Sequence, residues 1–228
     1  MRRTLNVVRL QLINRSTFIW VPLIVLASAV LVSVAIYAMI PVDTPKYGGG
    51  SQAPLWVYLA VGISAMTSTF PFSQAISVTR RDFFLGSMVA AAMSSALMGV
   101  LFLIGGGIEV LTDGYGVNGW VFHLPWVWEA GPIGAFTVYF TLALFFFVIG
   151  FTAATIFKRW GPLALTTVGI GLVVVLAGLA LLITRLEEWG QVFAGIMQLG
   201  AFGLALWGLV VTVALMVISF LTIRRAIP

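Results

Sequence analysis

Residues 72–84 read FSQAISVTRRDFF, a short polar segment that carries Arg80 and Arg81 and separates two long apolar runs. Most of the remaining chain is apolar, since 61% of the 228 residues are hydrophobic and only 8% are charged. A soluble domain has about 25% charged residues. The sequence therefore predicts a membrane-embedded protein in which residues 72–84 form an island of polar chemistry outside the bilayer.

Six apolar runs are long enough to cross a bilayer, because about 20 helical residues span a hydrocarbon core of about 30 Å. Helices are expected because lipid offers no hydrogen-bond partner to backbone N–H and C=O groups. The predicted fold is all-α, a polytopic single transmembrane domain over residues 1–228, and Pro71 is expected to close its second span, which reaches residue 72. The six predicted spans cover about residues 18–40, 55–72, 83–108, 134–157, 163–183 and 204–223.

The two ends of the chain each leave two interpretations open. Residues 1–16 are basic and moderately amphipathic, which predicts an interfacial helix on the cytoplasmic membrane surface. A basic tail that only orients the first span is the alternative. The apolar run over residues 192–223 is longer than one span needs, and Gln198, Gly200 and Gly203 offer a place to break it. It predicts a re-entrant outer segment over residues 190–203 or, alternatively, one tilted helix.

Lys and Arg are distributed unevenly between the segments that join the predicted spans. Positive residues are enriched in the cytoplasmic loops of membrane proteins. With the N-terminus inside, the outer loops hold only Lys46 and Arg185, and both termini are predicted to be cytoplasmic. The net charge of +5 is then a topology signal, and no nucleic-acid partner is expected. The inner segments hold Arg2, Arg3, Arg9, Arg15, Arg80, Arg81, Lys158, Arg159, Arg224 and Arg225.

Residues that could support catalysis or ion coupling are sparse. No predicted span has an ionisable side chain at its middle, and Glu109, at the outer end of the third span, comes closest. Ion-coupled carriers need such groups. With one histidine, His123, and no cysteine, no metal site is expected. Neither lysine lies in the Gly-Lys-Ser/Thr context of a P-loop, so we expect neither enzymatic activity nor a nucleotide site on this chain.

Thr79 and Asp82 have the spacing of a helix-capping pair. The pattern predicts that a helix begins after Thr79, with Asp82 in its first turn, where an acid is favoured by the positive helix end. A cap and two orienting arginines would explain the second half of the polar segment. They leave residues 72–78 unexplained, because a minimal turn needs fewer residues.

Small residues recur at every fourth position of the third span. Small side chains at this spacing let two membrane helices approach closely. The stripe predicts either an interface with a second subunit or packing against a neighbouring span of the same chain. Its members are Ser87, Ala91, Ser95 and Gly99.

Taken together, the basic N-terminus, the six spans, the internal termini and the element SVTRRDFFLG at residues 77–86 resemble the ABC-2 type permeases. These are the membrane subunits of bacterial ABC exporters. The resemblance implies two P-loop ATPase subunits that carry ATP and Mg, and a second copy of this permease or a homologous one. It also implies a bacterial plasma (inner) membrane location. The segment that would dock on the ATPase comprises Ser73, Gln74, Ala75, Ile76, Ser77, Val78, Thr79, Arg80, Arg81 and Asp82.

We therefore expect a permease subunit of an ATP-driven exporter that binds no cofactor itself. The few fixed charges favour an amphipathic or apolar substrate, such as a drug, lipid, peptide or natural product. One alternative is a non-transporting membrane scaffold or sensor that recruits a cytoplasmic partner. Another is a uniporter or channel that works alone.

Overall fold

Helices make up nearly all of the computed structural model, which describes Val7 and residues 16–224. The all-α prediction is confirmed for this part of the chain, where the strands are limited to β1 (Lys46–Tyr47) and β2 (Gly119–Trp120). The predicted interfacial helix over residues 1–16 falls outside the described residues, apart from Val7 and Ser16. The helices are α1 Val21–Met39, α2 Ala53–Ser64, α3 Phe70–Ala75, α4 Arg80–Leu111, α5 Pro125–Trp128, α6 Gly131–Arg185 and α7 Trp189–Ile223.

Five helical stretches within the described residues are long and apolar enough to cross a membrane, as expected for a multi-pass membrane protein. The longest, α6, has 55 residues and would be about 80 Å long if straight, well beyond a core of about 30 Å. Its backbone is interrupted at Gly161, where φ is 83° and ψ is −177°, just before Pro162. The five stretches are Phe18–Met39, Gly49–Ala75, Arg80–Leu111, Gly131–Arg185 and Trp189–Ile223.

The second apolar run stays helical beyond Pro71, its predicted end, and continues to Ala75. A π-helical turn, Ala65–Thr69, joins α2 to α3, and the N–H of Phe70 bonds to the carbonyl of Ala65 five residues back. A proline ring normally clashes with the carbonyl four residues earlier. The wider π turn changes the position of that carbonyl, and the helix can therefore continue.

The two parts of α6 have different surroundings. Residues 131–160, the packed half, lie against α2, α4 and α7 and contain every buried residue of the helix. Where α2 crosses this half, Gly62 and Gly150 face each other, and a Cβ at either would overlap backbone of the other helix. Residues 162–185, the bare half, contain no buried residue.

The packed half of α6 and the second part of α7 run in the same direction. Gly134 lies near Phe202, Thr141 near Gly208, and the hydroxyls of Thr152 and Ser219 are 2.7 Å apart. Residue numbers rise together along both helices. The chain between them, which includes the bare half, must therefore return from one end of this helix pair to the other.

The second part of α7 begins at a break. Gly200, one of the three residues expected to interrupt this run, has a φ of 61° and a ψ of 179°. Between α6 and α7 the chain turns through Glu187, whose φ is 56°. The N–H of Glu188 bonds to the carbonyl of Ile183, and the N–H of Glu187 bonds to the carbonyl of Thr184, which is a Schellman motif.

Candidate partner-binding segment and outer loop cluster

Residues 73–82 form a compact turn with one defined shape. α3 ends in a Schellman motif, in which the N–H of Val78 bonds to the carbonyl of Ser73 and the N–H of Ser77 to that of Gln74, both at 3.0 Å. Ser77 occupies the left-handed position with a φ of 60°. The side chain of Gln74 donates to the carbonyl of Val78 at 3.1 Å and fixes the turn from inside.

The predicted helix start after Thr79 is confirmed. Thr79 has extended backbone angles, and its hydroxyl oxygen accepts a hydrogen bond from the N–H of Asp82 at 3.1 Å. The same hydroxyl donates to Oδ2 of Asp82 at 2.7 Å. The pair therefore fixes the first turn of helix α4. Arg80 and Arg81 lie in this helical turn, directly after the Schellman turn.

The predicted binding residues differ in exposure. Ser73 is buried and donates to the carbonyl of Phe70 at 2.7 Å, so its role is internal. Ile76 is a large apolar side chain that is 53% exposed, and Phe72, one helical turn earlier and just before the predicted segment, is 56% exposed. Also exposed are Ala75, Ser77, Thr79 and Arg81, whereas Gln74, Val78, Arg80 and Asp82 are half-buried.

The two arginines have different surroundings. Arg80 Nη1 donates to the backbone carbonyl of Arg224 at 2.6 Å, just after the end of α7. The last carbonyls of a helix lack internal partners and favour a cation. Arg80 therefore ties the polar segment to α7, while the side chain of Arg81 is exposed.

All four members of the small-residue stripe are buried within the single chain. A Cβ at Gly99 would lie 3.0 Å from the ring of Phe136 in the packed half of α6. On the same helix, the carbonyl of Ser94 accepts a hydrogen bond from Tyr58 of α2 at 2.7 Å. The burial favours packing between spans of one chain over a subunit interface. The buried residues are Ser87, Ala91, Ser95 and Gly99.

A buried carboxylate organises the outer loops. Glu109, in the last turn of α4, is 0% exposed. Its Oε1 accepts from the N–H groups of Val121 at 2.9 Å and Phe122 at 3.1 Å. Its Oε2 accepts from those of Phe122 at 3.0 Å and His123 at 2.7 Å. Charge-assisted bonds of this kind are stronger than neutral ones. The sequence predicted that Glu109 lies near the end of a span, but nothing in it indicated this burial.

The two loops predicted to be outer, residues 42–54 and 109–132, are joined by polar contacts that the sequence did not reveal. Lys46 Nζ donates to the carbonyls of Tyr37 at 3.0 Å and Val117 at 3.1 Å. Asn118 Nδ2 donates to the carbonyl of Asp43 at 2.8 Å, and β1 pairs with β2 in parallel. Two-residue strands that are about 70 positions apart leave no local pattern to recognise.

Aromatic side chains close the cluster around Glu109. The ring of His123 lies 5.6 Å from that of Trp120 and 4.6 Å from that of Trp128, measured between centroids. Burial raises the pKa of Tyr115 to about 12, with the charge of Glu109 and a hydrogen bond to it as further causes. Residues 16–224 contain no group of three His, Cys, Asp or Glu side chains that could hold a metal ion.

No protein-family model matches this sequence, and comparisons with curated proteins and with solved structures find no match either. The case for a function therefore rests on the geometry of the chain itself.

Proposed function

We propose that this protein is the membrane-spanning permease subunit of an ATP-driven exporter, and that residues 73–82 dock on a separate ATPase subunit. The observation that carries the proposal is the exposure of Ile76 and Arg81 within this segment, together with exposed Phe72 directly before it. Exposed apolar side chains with an arginine are typical of protein interfaces. A turn that only joined two spans would need none of these groups.

The proposed topology has six spans with both termini in the cytoplasm. Its support is the parallel arrangement of the packed half of α6 and the second part of α7. Two parallel spans require a third span to return the chain, and the bare half has the length and composition for it. The basic residues at Lys158 and Arg159 precede the break at Gly161, on the side proposed to be cytoplasmic.

The remaining parts of the assembly follow from the resemblance. We propose two ATPase subunits that bind ATP and Mg, and a second copy of this permease or a homologous one, in the bacterial plasma membrane. The cargo would be amphipathic or apolar, because the spans offer few charged groups. ATP-driven movement of the ATPase subunits would be transmitted through the fixed turn at residues 73–82, whose Schellman motif and helix cap resist deformation.

The test is co-purification with the P-loop ATPase encoded nearest in the genome, followed by ATP hydrolysis with and without this chain. We expect binding and stimulated hydrolysis. Replacing Ile76 by Ala and Arg81 by Glu together should remove both, because loss of a buried interface contact costs about 2–5 kcal/mol. Arg159→Glu, at the other proposed cytoplasmic turn, is the matched control and should keep both.

Three outcomes separate the alternatives. Full binding and hydrolysis by the Ile76→Ala, Arg81→Glu variant would contradict docking at this segment. Binding without stimulated hydrolysis would favour the scaffold or sensor. Substrate flux without any ATPase subunit would favour a uniporter or channel.

A further inference from the structure

Five basic residues lie in one layer at one end of the helix bundle. The packed half of α6 and the second part of α7 run in parallel, and the hydroxyls of Thr152 and Ser219 bond across them at 2.7 Å. At 1.5 Å per residue, Lys158 lies about 9 Å beyond Thr152, and Arg224 lies about 7.5 Å beyond Ser219. Arg80 bonds to the backbone of Arg224 and joins the same level. This basic layer contains Arg80, Arg81, Lys158, Arg159 and Arg224.

The basic layer has a large excess of positive charge. Asp82 is the one acid that the described residues contribute to it, and its carboxylate bonds to the hydroxyl of Thr79. The turn at the other end of the bare half has the opposite balance, because Arg185 is followed by Glu187 and Glu188. An anion is therefore attracted to the end of the bare half that adjoins the basic layer, and not to its other end.

Lys158 and Arg159 differ from the rest of the chain's paired polar groups. Towards the part of the chain that the structure describes, neither side chain forms a hydrogen bond or an ion pair. Both are half-buried, which is usual where the apolar stems of basic side chains cover neighbouring surface and the charged ends reach outward. Arg80, in contrast, bonds to the carbonyl of Arg224. Lys158 and Arg159 therefore have the donors in this layer that suit a ligand.

Arg159 is held in an orientation that suits a phosphate group. Its Cζ lies 4.0 Å from the centroid of the Trp160 ring. Stacking uses the face of a guanidinium group and leaves its N–H edge for bidentate bonds to a phosphate. Trp160 is 52% exposed, and tryptophan rings favour the headgroup level of a membrane. The pair therefore presents a positive edge at the depth where lipid phosphates lie.

The bare half of α6 places an apolar surface directly beside these charges. It begins after the break at Gly161, and Leu163 in its first turn is 82% exposed. No residue from 162 to 185 is buried within the described chain. An occupant of this surface must therefore be apolar along the helix and anionic at the end beside Lys158. A phospholipid with a net negative charge has this division, whereas a second copy of the chain in the same orientation would bring like charges together.

We propose that the break in α6 binds an anionic phospholipid. The phosphate lies between Lys158 and Arg159, Trp160 holds the guanidinium group in place, and the acyl chains lie along the bare half from Leu163 onwards. The other members of the basic layer attract anionic lipid to this end of the bundle. The inference does not rest on export, because it uses only the charges and exposed surfaces of this chain.

The test is native mass spectrometry of the full chain, released from maltoside micelles that contain equal amounts of phosphatidylglycerol and phosphatidylcholine. We expect phosphatidylglycerol to be retained in preference, since both lipids carry a phosphate but only this one has a net charge. Lys158→Gln and Arg159→Gln should each lower the preference about fivefold, the effect of removing one basic residue near an anionic lipid. Arg185→Gln, at the other end of the bare half, is the matched control and should leave the preference unchanged.

Arg159→Lys separates a phosphate site from general attraction to a charged layer. Lysine keeps the charge but loses the planar, stacked fork, so the preference should fall about threefold. Trp160→Leu keeps an apolar anchor, removes the stacking ring and should have a similar effect. Wild-type preference in Arg159→Lys, or equal preference in Arg159→Gln and Arg185→Gln, would overturn the proposal.

Two measurements on the unaltered chain complete the test. Added salt should lower the preference, because charge pairs at an exposed site are screened, and a preference independent of salt would contradict the proposed charge pairing. Inorganic phosphate and glycerol 3-phosphate share the anionic group but lack acyl chains, so neither should displace the bound lipid. Displacement by either at the concentration of the lipid would identify a free anion as the ligand and overturn the lipid assignment.

Discussion

The packed and bare halves of α6 have nearly the same chemistry and opposite surroundings. Both are apolar, and both contain glycine. A Cβ placed at Gly150 of the packed half would overlap the backbone of α2. A Cβ placed at Gly169, Gly171 or Gly178 of the bare half would meet no atom of a neighbouring segment within 4 Å. In a membrane, hydrophobicity does not distinguish a helix surface that packs from one that faces lipid, because lipid is equally apolar. Specific close contacts make the difference.

The largest difference in stability is expected when a glycine of each half is replaced by leucine. Gly150→Leu should prevent folding, because even a Cβ at this position overlaps the carbonyl of Leu59. Overpacking costs about 1–3 kcal/mol and can cost more when backbone must move. Gly169→Leu should leave the protein folded. The measurement is the yield of monodisperse protein and its thermal midpoint in one detergent, and similar values for both variants would contradict the packing described.

A second comparison sets Glu109, buried at the end of α4, against Glu187, exposed on the turn that follows the bare half of α6. Glu109→Gln should cost about 2–4 kcal/mol, because an amide NH₂ would face the N–H groups of Val121, Phe122 and His123. Glu187→Gln, on an exposed turn, should change the stability by about 0.5 kcal/mol or less. Denaturation followed by tryptophan fluorescence checks both, and Glu109→Gln at wild-type stability would argue against the buried carboxylate.

The hydroxyl pair Thr152 and Ser219 gives a smaller effect. A double-mutant cycle of Thr152→Val and Ser219→Ala should give a coupling of about 0.6 kcal/mol, which is usual for hydrogen bonds between membrane helices. Thr166→Val in the bare half removes only a bond within its own helix and should show no coupling to Ser219→Ala. Additive effects in the first cycle would mean that these hydroxyls do not bond across α6 and α7.

The smallest change in stability is expected at two turns that have the same backbone geometry. Ser77 and Glu187 both occupy the left-handed position of a Schellman motif, one after α3 and one after α6. Glycine at either should stabilise the protein by about 0.5 kcal/mol, because the left-handed penalty for a side chain exceeds the entropy cost of glycine slightly. Chemical denaturation of each variant measures it, and destabilisation by Ser77→Gly would contradict the turn geometry.

Local patterns in the sequence predicted the features that depend on neighbouring residues. The apolar runs predicted the long helices, and the Thr79–Asp82 spacing predicted the start of α4. The glycines at 161 and 200 interrupt helices in the regions expected for a turn and a break. In each case the determinant lies within a few residues of its effect.

Features that depend on distant residues could not be predicted in this way. The helix continues past Pro71 because a π turn precedes it, and nothing in the residues of that turn indicates the wider geometry. The burial of Glu109 depends on a loop that returns to α4 twelve residues later.

The bond from Arg80 to Arg224 has a mechanical consequence. From Gly200 to its end, α7 is an unbroken helix of about 35 Å, which resists stretching because every turn is hydrogen-bonded. Its C-terminal end is held by Arg80, directly beside the segment proposed to receive the ATPase. Its other end begins at the break at Gly200. An axial displacement of the start of α4 would therefore move the far end of this helix by a similar distance, with Gly200 as the hinge.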